Sequence, residues 1–266
     1  MKEFIQTLKN IWSLKELRDK ILFTLGIILV YRFASFISLP AINLAEVGDL
    51  LEHYKNQGGN KQGAGLLGLL SSFTGGAFSH ASVMALGIMP YISASIIVQL
   101  MGMAIPYLQK LQKDGESGRN TLNQITRWLT IGVCLVQAPS YLTSITQLFL
   151  PYAQFQSAYF VDPNSIMFWL PSIVILVAGS VFAMWLGEKI TDKGIGNGIS
   201  ILIMVGILSR LPEAFVQEIA VQNGKGGLGS IMILVEVIFW MLVVLLAVVL
   251  SVAVRKIPIQ YVSRAQ

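Results

Sequence analysis

Six long apolar stretches run along the chain, each separated from the next by a shorter polar segment. A helix needs about 20 residues to cross roughly 30 Å of hydrocarbon, and the stretches have about that length. The pattern therefore predicts an all-α integral membrane protein, a polytopic bundle of six transmembrane helices. We place the spans near residues 21–39, 81–105, 128–150, 166–186, 199–221 and 231–254. The fifth is the weakest, because Arg210, Pro212 and Glu213 interrupt its apolar run.

The two ends of the chain depart from this pattern. In residues 1–20, Phe4, Leu8 and Ile11 share one helical face, and the lysines lie outside that face. This pattern predicts an amphipathic helix. Such a helix either lies in the membrane interface or docks on the protein itself, and the sequence leaves both open. Residues 255–266 are predicted to begin a cytoplasmic loop.

Composition supports the membrane assignment. Hydrophobic residues make up 54% of the chain and charged residues only 12%, whereas a soluble domain carries about 25% charged residues. The net charge of +5 does not indicate nucleic-acid binding, because the basic residues sit at the ends of apolar runs and form no continuous patch. The single cysteine, Cys134, excludes an internal disulfide and a CxxC metal site.

Lysines and arginines set the predicted orientation. Most of them lie at one set of span ends, which comprises the N-terminus, the 106–127 loop, the 187–198 loop and the C-terminal end. Cytoplasmic loops carry such an excess, so the N-terminus is predicted to be cytoplasmic. Arg32 and Glu236 lie within or near spans, and we expect each to snorkel or to form a structural ion pair.

A short apolar segment precedes the second span. Residues 58–76 read GGNKQGAGLLGLLSSFTGG, so glycines flank Leu66–Phe73 on both sides. The segment is too short to cross a bilayer, which favours a re-entrant or plug-like helix buried in protein or lining a cavity. Gly75 and Gly76 would then be a flexible joint. An ordinary outer loop with an incidental leucine cluster is the alternative.

Isoleucines recur at helical spacing in two spans. Ile88, Ile92 and Ile96 repeat every four residues in the second span, and Ile199 and Ile203 do so in the fifth. Spacing alone fits core or lipid-facing isoleucines. The alternative is a narrow apolar constriction that closes a pore by excluding water.

Two local features complete the pattern. Pro90 is predicted to bend the second span and to free the carbonyl of Leu86. The segment 188–200 reads EKITDKGIGNGIS, and it lacks the phosphate-loop motif GxxxxGK[ST]. A tight turn that starts a helix on the cytoplasmic side explains it better than a nucleotide site.

The sequence offers no catalytic or metal site. His53 and His80 are the only histidines, and they lie in different segments. The spans contain neither a Ser/His/Asp set nor paired carboxylates. We therefore expect that the protein is not an enzyme and uses no cofactor and no metal.

Five ordered runs resemble the SecY family, the central subunit of the protein-translocation channel. The most specific are GGAFSHASVMALGIMPYISASIIVQL at 75–100, GESGRNTLNQITRW at 115–128 and MWLGEKITDKGIGNGISILI at 184–203. RFASFISLPAI at 32–42 and RKIPIQYVSRA at 255–265 extend the resemblance to both ends. The resemblance implies a pseudo-symmetric channel of ten spans, of which this sequence holds the N-terminal portion.

The resemblance also implies site residues. A ring of isoleucines forms the waist of the pore, a plug blocks the outer funnel, and a lateral gate opens towards lipid. The matching positions are Ile88, Ile92, Ile199 and Ile203 for the ring; 64–76, with Leu66, Leu67, Leu69, Leu70, Phe73, Gly75 and Gly76, for the plug; Ser82 for the plug hinge; Ile96, Ile97 and Gln137 for the gate; and Asn197 for the cytoplasmic pore mouth.

Function and partners follow from the same resemblance. It implies a passive channel in the bacterial cytoplasmic (inner) membrane for secreted polypeptides and for the lateral insertion of membrane segments into lipid. The implied partners are small membrane subunits of the SecE and SecG type, the motor ATPase SecA, the ribosome and signal-sequence-bearing polypeptides. The alternative is half of a secondary transporter with broken helices, which would need polar groups near the midplane.

Overall fold

The computed structural model describes residues 13–40, 42, 74–77, 81–149, 162, 165–223 and 227–253. These ranges hold seven helices and an isolated β-bridge, so the all-α prediction is confirmed. The helices are α1 Lys15–Ser35, α2 Met89–Ala104, α3 Pro106–Lys113, α4 Gly115–Phe149, α5 Ile166–Lys193, α6 Gly198–Asn223 and α7 Gly227–Val252.

Two helices are longer than the apolar pattern predicts. The helix α4 begins at Gly115 rather than near residue 128, and α5 continues to Lys193 rather than ending near 186. The apolar pattern marks only the part of a helix that contacts hydrocarbon. Residues such as Glu116 and Gln124 are good helix formers and prolong the helix beyond that part. Much of the predicted 106–127 loop is therefore helical.

The predicted bend at Pro90 is wrong. Residues 81–88 form turns, α2 begins only at Met89, and Pro90 lies in its first turn. Proline fits there because the first backbone N–H groups of a helix have no intrahelical partner. The sharp bend lies at the other end, where Ile105 is extended before Pro106 and the axes of α2 and α3 meet at 102°.

A short antiparallel pairing joins the end of α1 to the start of the second apolar stretch. Leu39 N donates to Ala81 O at 2.9 Å, and Val83 N donates to Ile37 O at 2.8 Å. The bridge pairs Ser38 with Ser82. The predicted spans 21–39 and 81–105 therefore each contain a non-helical end that is fixed by backbone hydrogen bonds.

The chain divides into two compact units. The first runs from Met1 to Arg210 and contains two buried apolar clusters. One cluster, around Leu142, Phe168 and Leu176, joins α4 to α5. The second unit, Leu211–Gln266, contains α7, whose apolar side chains are exposed along the helix.

Length and composition alone let four of the described helices cross a membrane, namely α4, α5, α6 and α7, or five if the bent pair α2 and α3 is one span. The helix α1 is not among them, since Lys15, Glu16, Arg18, Asp19, Lys20 and Arg32 lie within it. Six spans therefore remain a prediction.

The end of the predicted amphipathic segment and the start of the first predicted span belong to one continuous helix, because α1 runs unbroken from Lys15 to Ser35. Residues 1–12 of the predicted amphipathic helix lie outside the described residues, as do 254–266 at the other end of the chain.

Candidate functional site

The isoleucines predicted as a ring meet in the second buried cluster of the first unit. Ile88 is buried and precedes the first turn of α2, and Ile92 lies one turn later, since Ile92 N donates to Ile88 O at 3.1 Å. Ile92 and Ile199 pack against this cluster, which also contains Tyr31 and Leu202. Helices α1, α2, α5 and α6 thus contribute to one apolar centre.

A small cavity lies at this centre. Its volume is about 10 Å³, and it is lined by Tyr31, Thr74, Ile88, Met89, Ile92 and Ile203. A space of that size holds about one water molecule at most, and a water there would find few polar partners. The structure therefore brings Ile88, Ile92 and Ile203 around one narrow apolar space, with Ile199 packed beside it.

Close backbone packing places the two isoleucines of α6. A Cβ atom on Gly187 would lie 2.9 Å from Ile199 Cγ1, and one on Gly198 would meet the backbone carbonyl of Gly187. Helices α5 and α6 therefore approach closely where the chain reverses between them. This close contact fixes the positions of Ile199 and Ile203 relative to α5.

Asn197 caps the helix that carries these isoleucines. Its side-chain oxygen Oδ1 accepts hydrogen bonds from Ile199 N at 3.1 Å and from Ser200 N at 3.2 Å. Gly196 has φ +65°, which suits glycine. The predicted tight turn that starts a helix is confirmed at residues 194–197, whereas 188–193 belong to the end of α5 and 198–200 to the start of α6. Asn197 is exposed, and its place at a pore mouth stays a prediction.

Replacing Asn197 with alanine is expected to lower stability by about 1 kcal/mol, because two backbone N–H groups lose their acceptor. Asn197→Asp keeps an oxygen acceptor and adds a favourable charge at the helix start, so it is the matched control. Thermal unfolding in detergent should show a lower midpoint for the alanine variant alone. Equal midpoints for the two variants would contradict a capping role.

Sequence reasoning missed a second support for this turn. Thr24 Oγ1 on α1 accepts from Ile195 N at 3.3 Å and donates to Lys20 O at 2.8 Å. Thr191 Oγ1 accepts from Gly198 N at 2.9 Å. Thr24, a buried threonine in an otherwise apolar stretch, was the signal that the sequence offered for this hydrogen bond. Its partner Ile195 lies far away in sequence, so the sequence could not identify it.

The predicted plug is described only at its C-terminal end. Leu66, Leu67, Leu69, Leu70 and Phe73 lie outside the described residues, whereas Thr74–Ala77 form a turn.

Gly75 and Gly76 adopt φ +64° and +93°. A Cβ atom on Gly75 would lie 2.6 Å from Arg32 Nη1, and one on Gly76 would lie 2.8 Å from Arg210 Nη2. Side chains of neighbouring helices therefore lie close to these two glycines, and their role as a flexible joint stays a prediction.

Arg32 contacts the same turn. Its Nη1 donates to Gly75 O at 3.2 Å, and its guanidinium lies 5.4 Å from the centroid of the Phe36 ring. Within the described part of the chain, Arg32 is therefore stabilised by a carbonyl and a ring rather than by the structural ion pair that we considered. Glu236 is exposed on α7.

Ser82, the predicted plug hinge, is fully buried in a turn. Its Oγ accepts from Met84 N at 2.9 Å, and its own N donates to Ala77 O at 3.1 Å. The serine therefore ties the Thr74–Ala77 turn to the segment that leads into α2. Its role as a hinge stays a prediction.

The predicted lateral-gate residues lie on two neighbouring helices. Ile96 and Ile97 are 50% and 39% exposed on α2, and Gln137 is half-buried on α4. Helices α2 and α4 pack against each other. The exposed isoleucines leave one face of α2 available to lipid or to another part of a channel, and the gate assignment stays a prediction.

One ion pair joins α4 to α5 and was not predicted. The guanidinium of Arg127 donates two hydrogen bonds to the carboxylate of Glu188, each at 2.8 Å. The two residues are 61 positions apart, so no local pattern shows the pair. A bidentate pair of this kind fixes orientation as well as distance.

Taken together, the long apolar helices and the enclosed isoleucine centre define a polytopic helical membrane protein. The SecY family model matches residues 82–266, and the chain therefore belongs to the SecY family. The resemblance seen in the sequence is confirmed.

Two curated relatives are each described as "Protein translocase subunit SecY". That of Escherichia coli (strain K12) is 38% identical over 254 residues, covering 96% of this chain and 54% of the relative. That of Buchnera aphidicola subsp. Schizaphis graminum is 39% identical over 249 residues, covering 94% and 53%. The chain spans about half the length of these relatives.

A solved structure shares the fold. The chain described as "Sec61 in the Canine ribosome-channel complex from the endoplasmic reticulum" matches with a TM-score of 0.55 and 19% sequence identity, over 90% of this chain and 49% of that one. This likeness concerns the fold alone.

Proposed function

We propose that this chain forms one half of a passive channel through which secreted polypeptides cross the membrane and membrane segments enter lipid. The observation that carries the proposal is the meeting of Ile88, Ile92, Ile199 and Ile203 at one narrow apolar space. Branched apolar side chains make no specific hydrogen bonds, so they tolerate any passing sequence. In the resting state they deny ions a continuous path of water.

The neighbouring elements support distinct parts of this mechanism. Residues 64–76 act as the plug, and this is supported by Thr74, which lines the same cavity as the isoleucines. Ile96, Ile97 and Gln137 form one wall of the lateral gate, and Asn197 lies at the cytoplasmic mouth. The remaining ring positions and the opposite wall come from the other half of the channel.

The proposed channel is passive, and its partners supply the energy. These are the motor ATPase SecA and the ribosome, with small membrane subunits of the SecE and SecG type completing the complex. The substrates are polypeptides that carry signal sequences. The proposed location is the bacterial cytoplasmic membrane with the N-terminus in the cytoplasm, since the basic residues concentrate at the corresponding helix ends.

A crosslinking experiment tests the pore assignment. A cysteine at Ile92, in a chain whose Cys134 is replaced by alanine, is expected to form a disulfide with a cysteine in a translocating polypeptide arrested in the channel. The full complex in its native membrane is used. The matched control is a cysteine at Ile166, which is 78% exposed at the start of α5.

The control should not react with the arrested chain. Reaction of the Ile92 variant with lipid probes only would overturn the pore assignment. Crosslinking to a small solute analogue instead would favour half of a secondary transporter, for which the lining of the cavity by isoleucine and methionine offers little polar contact.

A further inference from the structure

Two arginines from different helices lie against the turn Thr74–Ala77 at the C-terminal end of the predicted plug. Arg32 on α1 donates to Gly75 O at 3.2 Å. Arg210 on α6 lies against Gly76, and the Oγ of Ser209 would lie 3.0 Å from a Cβ atom on Gly75. The turn is therefore bonded to one helix near the beginning of the chain and lies close to another far along it.

The glycines are what make this approach possible. Both have φ in the left-handed region, and neither has a side chain that would exclude a guanidinium. A hydrogen bond from a charged donor to a carbonyl is stronger than a neutral one. Among the described side chains, neither Arg32 nor Arg210 forms a salt bridge with a carboxylate.

The enclosed turn adjoins the isoleucine centre directly. Thr74 precedes Gly75 and lines the small cavity, and Tyr31 precedes Arg32 and lines the same cavity. Tyr31 also belongs to the buried cluster that contains Ile88. Movement of the turn away from Arg32 would therefore remove one wall of the cavity.

We infer that Arg32 and Arg210 are positioning residues that latch the C-terminal end of the plug in the closed channel. This inference rests on the proposed function. Opening breaks the bond from Arg32 to Gly75 O and withdraws Gly76 from the guanidinium of Arg210. The latch couples plug position to the width of the isoleucine constriction, because the latched turn and the isoleucines share one cavity.

The test measures how often the turn opens. Ala77 is buried, with 1% exposure, so a cysteine there reacts with a membrane-impermeant maleimide only when the turn leaves its place. In the full complex, Arg32→Gln is expected to raise the labelling rate at Ala77→Cys at least about tenfold, the effect of losing one charge-assisted hydrogen bond. Arg210→Gln is expected to give a smaller increase, and Arg32→Lys an intermediate one.

Two controls separate a latch from a general loss of structure. Arg18→Gln removes an arginine from the same helix that faces Asp19 instead of the turn, and it should leave the labelling rate unchanged. Cys134 is fully buried in α4, so its own labelling reports unfolding of the bundle and should stay at the background rate in every variant.

Gly75→Ala disturbs the contact between Arg32 and Gly75 by changing the glycine, since its Cβ atom would displace the Arg32 guanidinium. It should raise the labelling rate at Ala77→Cys as Arg32→Gln does. If the Arg32→Gln protein does not accumulate, Gly75→Ala and Arg210→Gln together test the latch. Labelling at the rate of the Arg18→Gln control in all three variants would overturn the latch. That result would leave the channel proposal intact if Ile92 still crosslinks to an arrested polypeptide, whereas failure of the crosslink concerns the channel itself.

Discussion

Replacing Ile92 with serine is expected to make the resting channel leak ions several-fold above the unmodified protein. Ile92 lines a cavity of about 10 Å³ together with Ile88 and Ile203. A shorter, hydroxylated side chain both widens that space and offers water a hydrogen-bond partner, so the constriction no longer excludes water. Conductance of the purified complex in planar bilayers, without a translocating polypeptide, measures the leak.

The same replacement at Ile166 is the matched control for this prediction. Ile166 is exposed at the start of α5, and it does not line the cavity. Its serine variant should conduct no more than the unmodified complex. Unchanged conductance in the Ile92→Ser variant would show that the seal lies elsewhere. Ile203→Ser, which alters the lining of the same cavity from α6, should then also have no effect.

Most of the helical architecture could be predicted from the apolar pattern, because a helix that contacts lipid must be apolar over a fixed length. The pattern fails where a helix leaves hydrocarbon. It therefore missed the beginning of α4 at Gly115 and the extension of α5 to Lys193. It also failed at residues 81–88, which are apolar and yet form turns.

Pro90 shows why the sequence around residues 81–88 could not predict that they form turns. A proline within an apolar stretch either bends a helix or begins one, and the choice depends on the residues before it. Gly87 has φ +54°, and Val83 is held by its backbone bond to Ile37. That bond joins distant parts of the chain, so no window around Pro90 contains the information.

The candidate site also contains features that the sequence could predict and features that it could not. The ring positions came from the resemblance, because isoleucine spacing alone fits core or lipid-facing residues as well. The contact of Arg32 with Gly75 and the pairing of Arg127 with Glu188 depend on how separate helices pack. Sequence reasoning singled out Arg32 as a costly charge but could not name Gly75 as its partner, which lies 43 positions away.

Replacing Gly179 with alanine is expected to have a large effect on folding. A Cβ atom at this position of α5 would meet the backbone carbonyl of Val83. Val83 cannot easily move away, because its N donates to Ile37 O at 2.8 Å in the bridge between the two segments. Overpacking against a side chain costs about 1–3 kcal/mol, and a fixed backbone atom puts the cost at the upper end or above it.

A loss of that size is a large share of a total stability of about 5–15 kcal/mol. Gly179→Ala protein should therefore accumulate poorly and unfold in detergent at a clearly lower temperature. Gly132→Ala is the matched control, because a Cβ atom there has nothing within 4 Å on α4. It should be neutral or slightly stabilising, since alanine favours a helix over glycine. Equal unfolding temperatures for the two variants would mean that α5 does not approach Val83 as closely as described, and the placement of Ile88 beside α5 would have to be revised with it.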